Sequence, residues 1–159
     1  MRTALERQAS YYAKLFADFM IGDAHLATQK IWRLLERETF FLFAKLGDKE
    51  YEALYAKLVA AMERTIFDFF DPLGIGSGDE VRRYASEHAK LFAFTLIGDD
   101  EVSAFVAFGN LAEKMYLGLP KPLMESFDEH HDRLREALYE TIVGVVHGAG
   151  YGGRKRWKP

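Results

Sequence analysis

The chain has no cysteine in its 159 residues. Disulfides, thiolate nucleophiles and cysteine-held metals are excluded at once. It has only four prolines, so few places force a helix to stop. No apolar run approaches the roughly 20 residues needed to span a bilayer, so no membrane partner is expected. A positive balance is missing as well: the formal charge is −3. An acidic chain argues against a broad nucleic-acid surface. The exception is the tail, 154–159, which carries Arg154, Lys155, Arg156 and Lys158 and leaves −7 for the remainder. It reads either as a solubilising end or as a phosphate contact with Trp157 stacking on a base. The first residues carry charge without an apolar stretch, so no secretory signal is expected, and a cytoplasmic location is. Abundant Glu, Lys, Arg and Tyr without Cys suit a thermophile.

What the chain does have is a copy of itself. Residues 7–23 set against 83–99, an offset of 76, agree at eleven of seventeen positions. The same offset, taken without a gap, pairs Leu35 with Leu111, Leu58 with Leu134, Thr65 with Thr141 and Gly74 with Gly150. A period this long, with helical pattern inside it, predicts a duplicated supersecondary unit. The expected fold is all-α: about six helices in two tandem three-helix units, about 3–72 and 79–148, within one domain over 1–153. Capping-box pairs Thr3/Glu6 and Ser77/Glu80 open the two units. The apolar stripe Leu5, Ala9, Tyr12, Phe16, Phe19 predicts a first helix ending near Ile21. Gly22-Asp23 and Gly98-Asp99 are read as the turns into the second helices, and Asp48 as the cap of the third. Short turns within each unit favour antiparallel packing of neighbouring helices.

Phe40, Phe41 and Phe43 belong to a segment that is apolar on every side of the second helix. The segment reads either as core buried by the second unit or as a subunit interface, and these three residues are the interface candidates of an expected homo-oligomer. Among the histidines, His88 and His131 fall on apolar stripes and align with Tyr12 and Tyr55 of the first half. Four rings with polar tips then occupy repeat-equivalent positions. They either line one polar pocket for a small molecule or nucleotide, or are four separately satisfied residues. Asp128 and His131 are spaced for a shared ion, but a diiron bundle needs two Glu-x-x-His pairs and further glutamates, so neither metal nor other cofactor is expected. Gly74 to Gly78 precedes a helix and reads as a linker or as a phosphate loop without its lysine. Catalytic spacing is otherwise missing, so a non-catalytic binding or regulatory module is the leading expectation.

Ala13, Gly22-Asp23 and Ala27-x-x-Lys30-x-Trp32 resemble the PaREP1 family, archaeal all-helical proteins grouped with the HEPN-like helical domains. Leu111 to Tyr116 and Leu119-Pro120 resemble that family's later segment. Ala112 and Lys114 stand where the family places a histidine and an asparagine. The resemblance implies a dimeric helical protein whose relatives bind RNA, nucleotides or a partner protein. HEPN-type ribonucleases use an Arg-x(4–6)-His pair on a late helix. Arg83 and His88 have that spacing on the first helix of the second unit, so an RNA- or nucleotide-acting enzyme using this pair is the alternative expectation.

Overall fold

The computed structural model describes residues 3–37, 46–98, 100–114, 117 and 124–151. It is all-α, and among the described residues it has six helices and no strand: α1 (Ala4–Ile21), α2 (Ala24–Arg37), α3 (Asp48–Phe70), α4 (Gly78–Ile97), α5 (Glu101–Lys114) and α6 (Phe127–Gly148). A 3-10 turn, Asp71–Leu73, follows α3 and ends on Gly74 at φ 67°, a left-handed conformation that glycine adopts without strain.

The starts of α1 and α4 follow from their caps. Thr3 Oγ1 accepts from the Glu6 amide at 3.2 Å. At α4 the box is closed both ways, with Ser77 Oγ accepting from the Glu80 amide at 3.1 Å and the Ser77 amide donating to Glu80 Oε1 at 3.2 Å. Asp23 Oδ1 accepts from the Leu26 amide at 3.1 Å and opens α2. One expected cap moves. Gly47, not Asp48, is the N-cap of α3, and Asp48 begins the helix, where its charge suits the positive end of the dipole. The cap of α5 is Asp100. Its carboxylate accepts from the Ser103 amide at 2.9 Å and from the Ser103 hydroxyl at 2.7 Å. The Ser103 hydroxyl, then its amide, hold the Asp100 carboxyl below its usual range.

At Gly22 a Cβ would sit 2.6 Å from the Asp18 carbonyl oxygen, and at Gly98 closer still to that of Phe94. Close approach of the preceding turn, not an unusual φ, is what asks for glycine at both helix ends.

Packing between the halves is interleaved. Within each half the first two helices pack together, α1 with α2 and α4 with α5. The third helix then packs on the other half's first helix: α3 on α4, and α6 on α1. Helices α3 and α6 also pack on each other, as do α2 and α5. Residues 76 apart meet at two points. Phe16 and Phe92 stack with centroids 4.0 Å apart at 7°. Thr65 and Thr141 place their hydroxyls 2.7 Å apart. The core runs through Phe16, Phe92, Phe108, Leu58, Met62, Ile66, Leu134, Leu138 and Ile142, all fully buried.

Thr65 donates to the Ala61 carbonyl and Thr141 to the Ala137 carbonyl within their own helices. Three short contacts therefore share two hydroxyl hydrogens, and one threonine must also serve the other. A double-mutant cycle with Thr65→Val and Thr141→Val, read by urea unfolding, is expected to return a coupling of about 1 kcal/mol. Additive losses would mean that each hydroxyl serves only its own helix.

A candidate anion-binding cleft between α1 and α2

The residues singled out from sequence go to different places. His88 is 2% exposed. Its Nδ1–H donates to the Tyr84 carbonyl at 2.8 Å, and its ring lies 4.0 Å from Tyr84, with Phe19 and Phe92 alongside. Burial pushes its pKa down to about 4, only partly opposed by the bond to the Tyr84 carbonyl. Arg83 is exposed. Five residues along a helix turn through roughly 140°, so the two side chains leave α4 in different directions.

The four paired aromatics do not form one bonded group. Tyr12 is buried in α1 beside Phe16. His131, on the α1–α6 seam, donates from Nε2 to Asp18 Oδ1 at 2.6 Å. Asp18 also takes Lys14 at 3.1 Å. Tyr55 stacks on Tyr51 and lines an open cleft bounded by Leu91, Phe94 and Leu111. The position 76 beyond Asp18 is Phe94, so where one seam joins a histidine to a carboxylate, the other brings a tyrosine and a phenylalanine to one cleft. Phe40, Phe41 and Phe43 lie outside the described residues, as does the tail 154–159. Among the described residues no group of three His, Asp or Glu is placed to hold a metal ion.

A cleft that sequence reasoning passed over runs between α1 and α2. Two adjoining cavities, of about 530 Å³ and 360 Å³, share Tyr11, Leu34 and Arg37 in their walls. Arg7 lines the first, and Lys14, Lys30 and Arg33 line the second. Five cations thus face one cleft in a chain of net charge −3, and no carboxylate is among its described lining residues. Lys30, Arg33 and Arg37 are spaced i, i+3 and i+7, so α2 presents them on one face, and all three are exposed. Among the described residues, none of the three has a carboxylate within 4 Å. Tyr11 is 55% exposed between the two cavities. The signal was present in the sequence as two short basic stripes. Their union depends on how α1 docks on α2.

A cleft in the matching place lies between α4 and α5, with a volume of about 390 Å³. Along α4 its lining follows the offset of 76, with Glu87, Lys90 and Leu91 for Tyr11, Lys14 and Leu15. Along α5 the offset is 77, with Ala107, Asn110, Leu111 and Lys114 for Lys30, Arg33, Leu34 and Arg37. The caps agree with this offset: Asp100, 77 beyond Asp23, accepts from the Ser103 amide as Asp23 accepts from the Leu26 amide. In this second cleft two lysines face one glutamate, so most of the positive charge is gone.

No family model, no curated protein and no solved structure matches this chain.

Proposed function

We propose that the protein is a non-catalytic binding module and that the α1–α2 cleft is its binding surface. One observation carries this reading. The cleft is lined by arginine, lysine, tyrosine, glutamine, alanine and leucine. These side chains can hold and orient an anion, and among the described lining residues there is no imidazole or carboxylate to take up and return a proton. The imidazole of the alternative enzymatic pair, His88, is enclosed by three aromatic rings, away from that cleft.

Membership of the PaREP1-like helical proteins and action as a homo-oligomer belong to the same proposal. On α2, Ala27 is buried, Trp32 packs on Phe105 and Lys30 reaches the cleft, which gives the Ala-x-x-Lys-x-Trp motif both a packing and a binding role. The apolar run at 40–43 supports the oligomer. Incubation of the pure protein with mixed RNA separates the two functional classes. Intact RNA at the end is expected. Cleavage that disappears in His88→Ala, with helical content retained, would overturn the binding-module reading in favour of the enzyme.

A further inference from the structure

We infer that the α1–α2 cleft takes a nucleoside oligophosphate, with Arg33, Arg37 and Lys30 on the phosphates and the Tyr11 ring against the base. The inference rests on the binding-module reading and names its ligand.

The charge of the cleft calls for an anion of more than one charge. Lys30, Arg33 and Arg37 sit one turn apart on α2, where like charges repel one another. The matching face of α5 carries Ala107, Asn110 and Lys114 instead. The helical scaffold therefore does not require the cations, since a second helix holds a matching place without two of them. Arginine suits phosphate in particular, because its planar fork donates two parallel hydrogen bonds to two oxygens, while lysine supplies a point charge. Lys14, already paired with Asp18, adds its field from the α1 wall.

The shape calls for a small ligand with a flat part. Two adjoining cavities of about 530 Å³ and 360 Å³ fall in the range of small-molecule sites. Tyr11, a residue more than half exposed, stands where they join, and its counterpart in the second cleft is the carboxylate Glu87. A phenol ring between a cationic wall and an apolar floor of Leu34 and Leu15 offers a stacking face beside the phosphate contacts. The same position filled by a carboxylate would repel an oligophosphate.

Titration calorimetry of the full chain at low ionic strength tests this with ATP, inorganic tripolyphosphate and a short single-stranded RNA. ATP is expected to bind, and to bind more tightly than tripolyphosphate. Arg33→Glu with Arg37→Glu should weaken ATP binding by at least about tenfold. Lys114→Glu in the second cleft should change it by less than about twofold. Tyr11→Ala should remove the advantage of ATP over tripolyphosphate. All substituted side chains are on exposed helix faces, and unchanged circular dichroism melting confirms folding; Lys30→Ala is the milder variant in the same direction. No heat with millimolar ATP, or equal losses from the two clefts, would overturn the site. Equal binding of ATP and tripolyphosphate would overturn the nucleoside, and tighter binding of RNA through Arg33 and Arg37 would overturn a small ligand. ATP turnover that survives the double reversal would count against the non-catalytic reading and leave the cleft assignment standing.

Discussion

Phe92→Ala is expected to lower the stability of the chain by about 3–5 kcal/mol, the range for removing a fully buried phenyl ring. The ring is 0% exposed. It stacks on Phe16 at 4.0 Å and meets Phe19 edge-on at 6.4 Å. Phe108 lies 6.1 Å away, and the His88 ring at 5.9 Å. Truncation removes the transfer energy of the phenyl group and leaves a void between α1 and α4 that rigid aromatic neighbours are poorly shaped to fill. Domains of this size are stable by about 5–15 kcal/mol, so the loss is a large share of the whole. Urea unfolding followed by circular dichroism measures it. Phe92→Leu, which keeps most of the volume, should lose much less. A loss under about 1 kcal/mol in Phe92→Ala would show that the stack can collapse around the gap and does not anchor the two halves.

Acid should weaken the fold through one residue in particular. His88 takes a proton only near pH 4 in the native state, whereas in the unfolded chain an imidazole does so near 6.5. Between these values the unfolded chain holds more protons than the native one, so stability rises with pH across that window. The contribution is complete above about pH 6.5 and is lost as pH falls towards about 4, amounting to about 3 kcal/mol by linkage. The groups against the ring are the Tyr84 carbonyl and the rings of Phe19, Tyr84 and Phe92, none of which supplies a charge in this range. Burial moves the Tyr84 phenol further up, away from the window. Other carboxylates and histidines also titrate, so the measurement is a difference. Unfolding free energies of the natural chain and His88→Leu are compared from pH 4 to 8. The natural chain should gain on the variant by about 3 kcal/mol as pH rises from 4 to 6.5, and the two should run parallel above that. Parallel curves throughout would show that His88 is not buried neutral.

Much of the helical plan was legible because local chemistry fixes it. Thr3, Ser77 and Asp23 cap where their side chains can reach the amides of the next turn. The stripe from Leu5 to Phe19 is buried along its length. Local chemistry also explains the one misplaced start: Gly47 caps α3 with no side-chain hydrogen bond, so nothing in its side chain marks the position. Along α6 the buried face runs through Leu134, Leu138, Ile142 and Val146 in even steps of four.

The candidate site was much less legible. Tyr12, Tyr55, His88 and His131 share a pattern in sequence, but their environments depend on which helix faces each of them. That is settled by the docking of α6 on α1, separated by most of the chain, and of α3 on its sequence neighbour α4. The cations of α2 showed the opposite problem. Charged residues on an amphipathic helix ordinarily mean a solvated face. It is the wall supplied by Arg7, Tyr11 and Lys14 on α1 that brings those charges into one cleft.

The crossing of partners between the halves bears on how the chain acquires its structure during synthesis. Helix α1 leaves the ribosome first among the six, yet one of its major packing partners, α6, leaves last. Helix α3, by contrast, meets its partner α4 as the next helix in the chain. Until α6 emerges, α1 exposes the face that α6 covers, and chains with such faces are prone to associate with one another. Long-range closure of this kind slows folding relative to a bundle assembled from neighbours in sequence. It also makes the order of events recoverable: a nascent chain arrested after α5 should hold the α1–α2 and α4–α5 pairs while leaving the α1 face that receives α6 open to a chaperone.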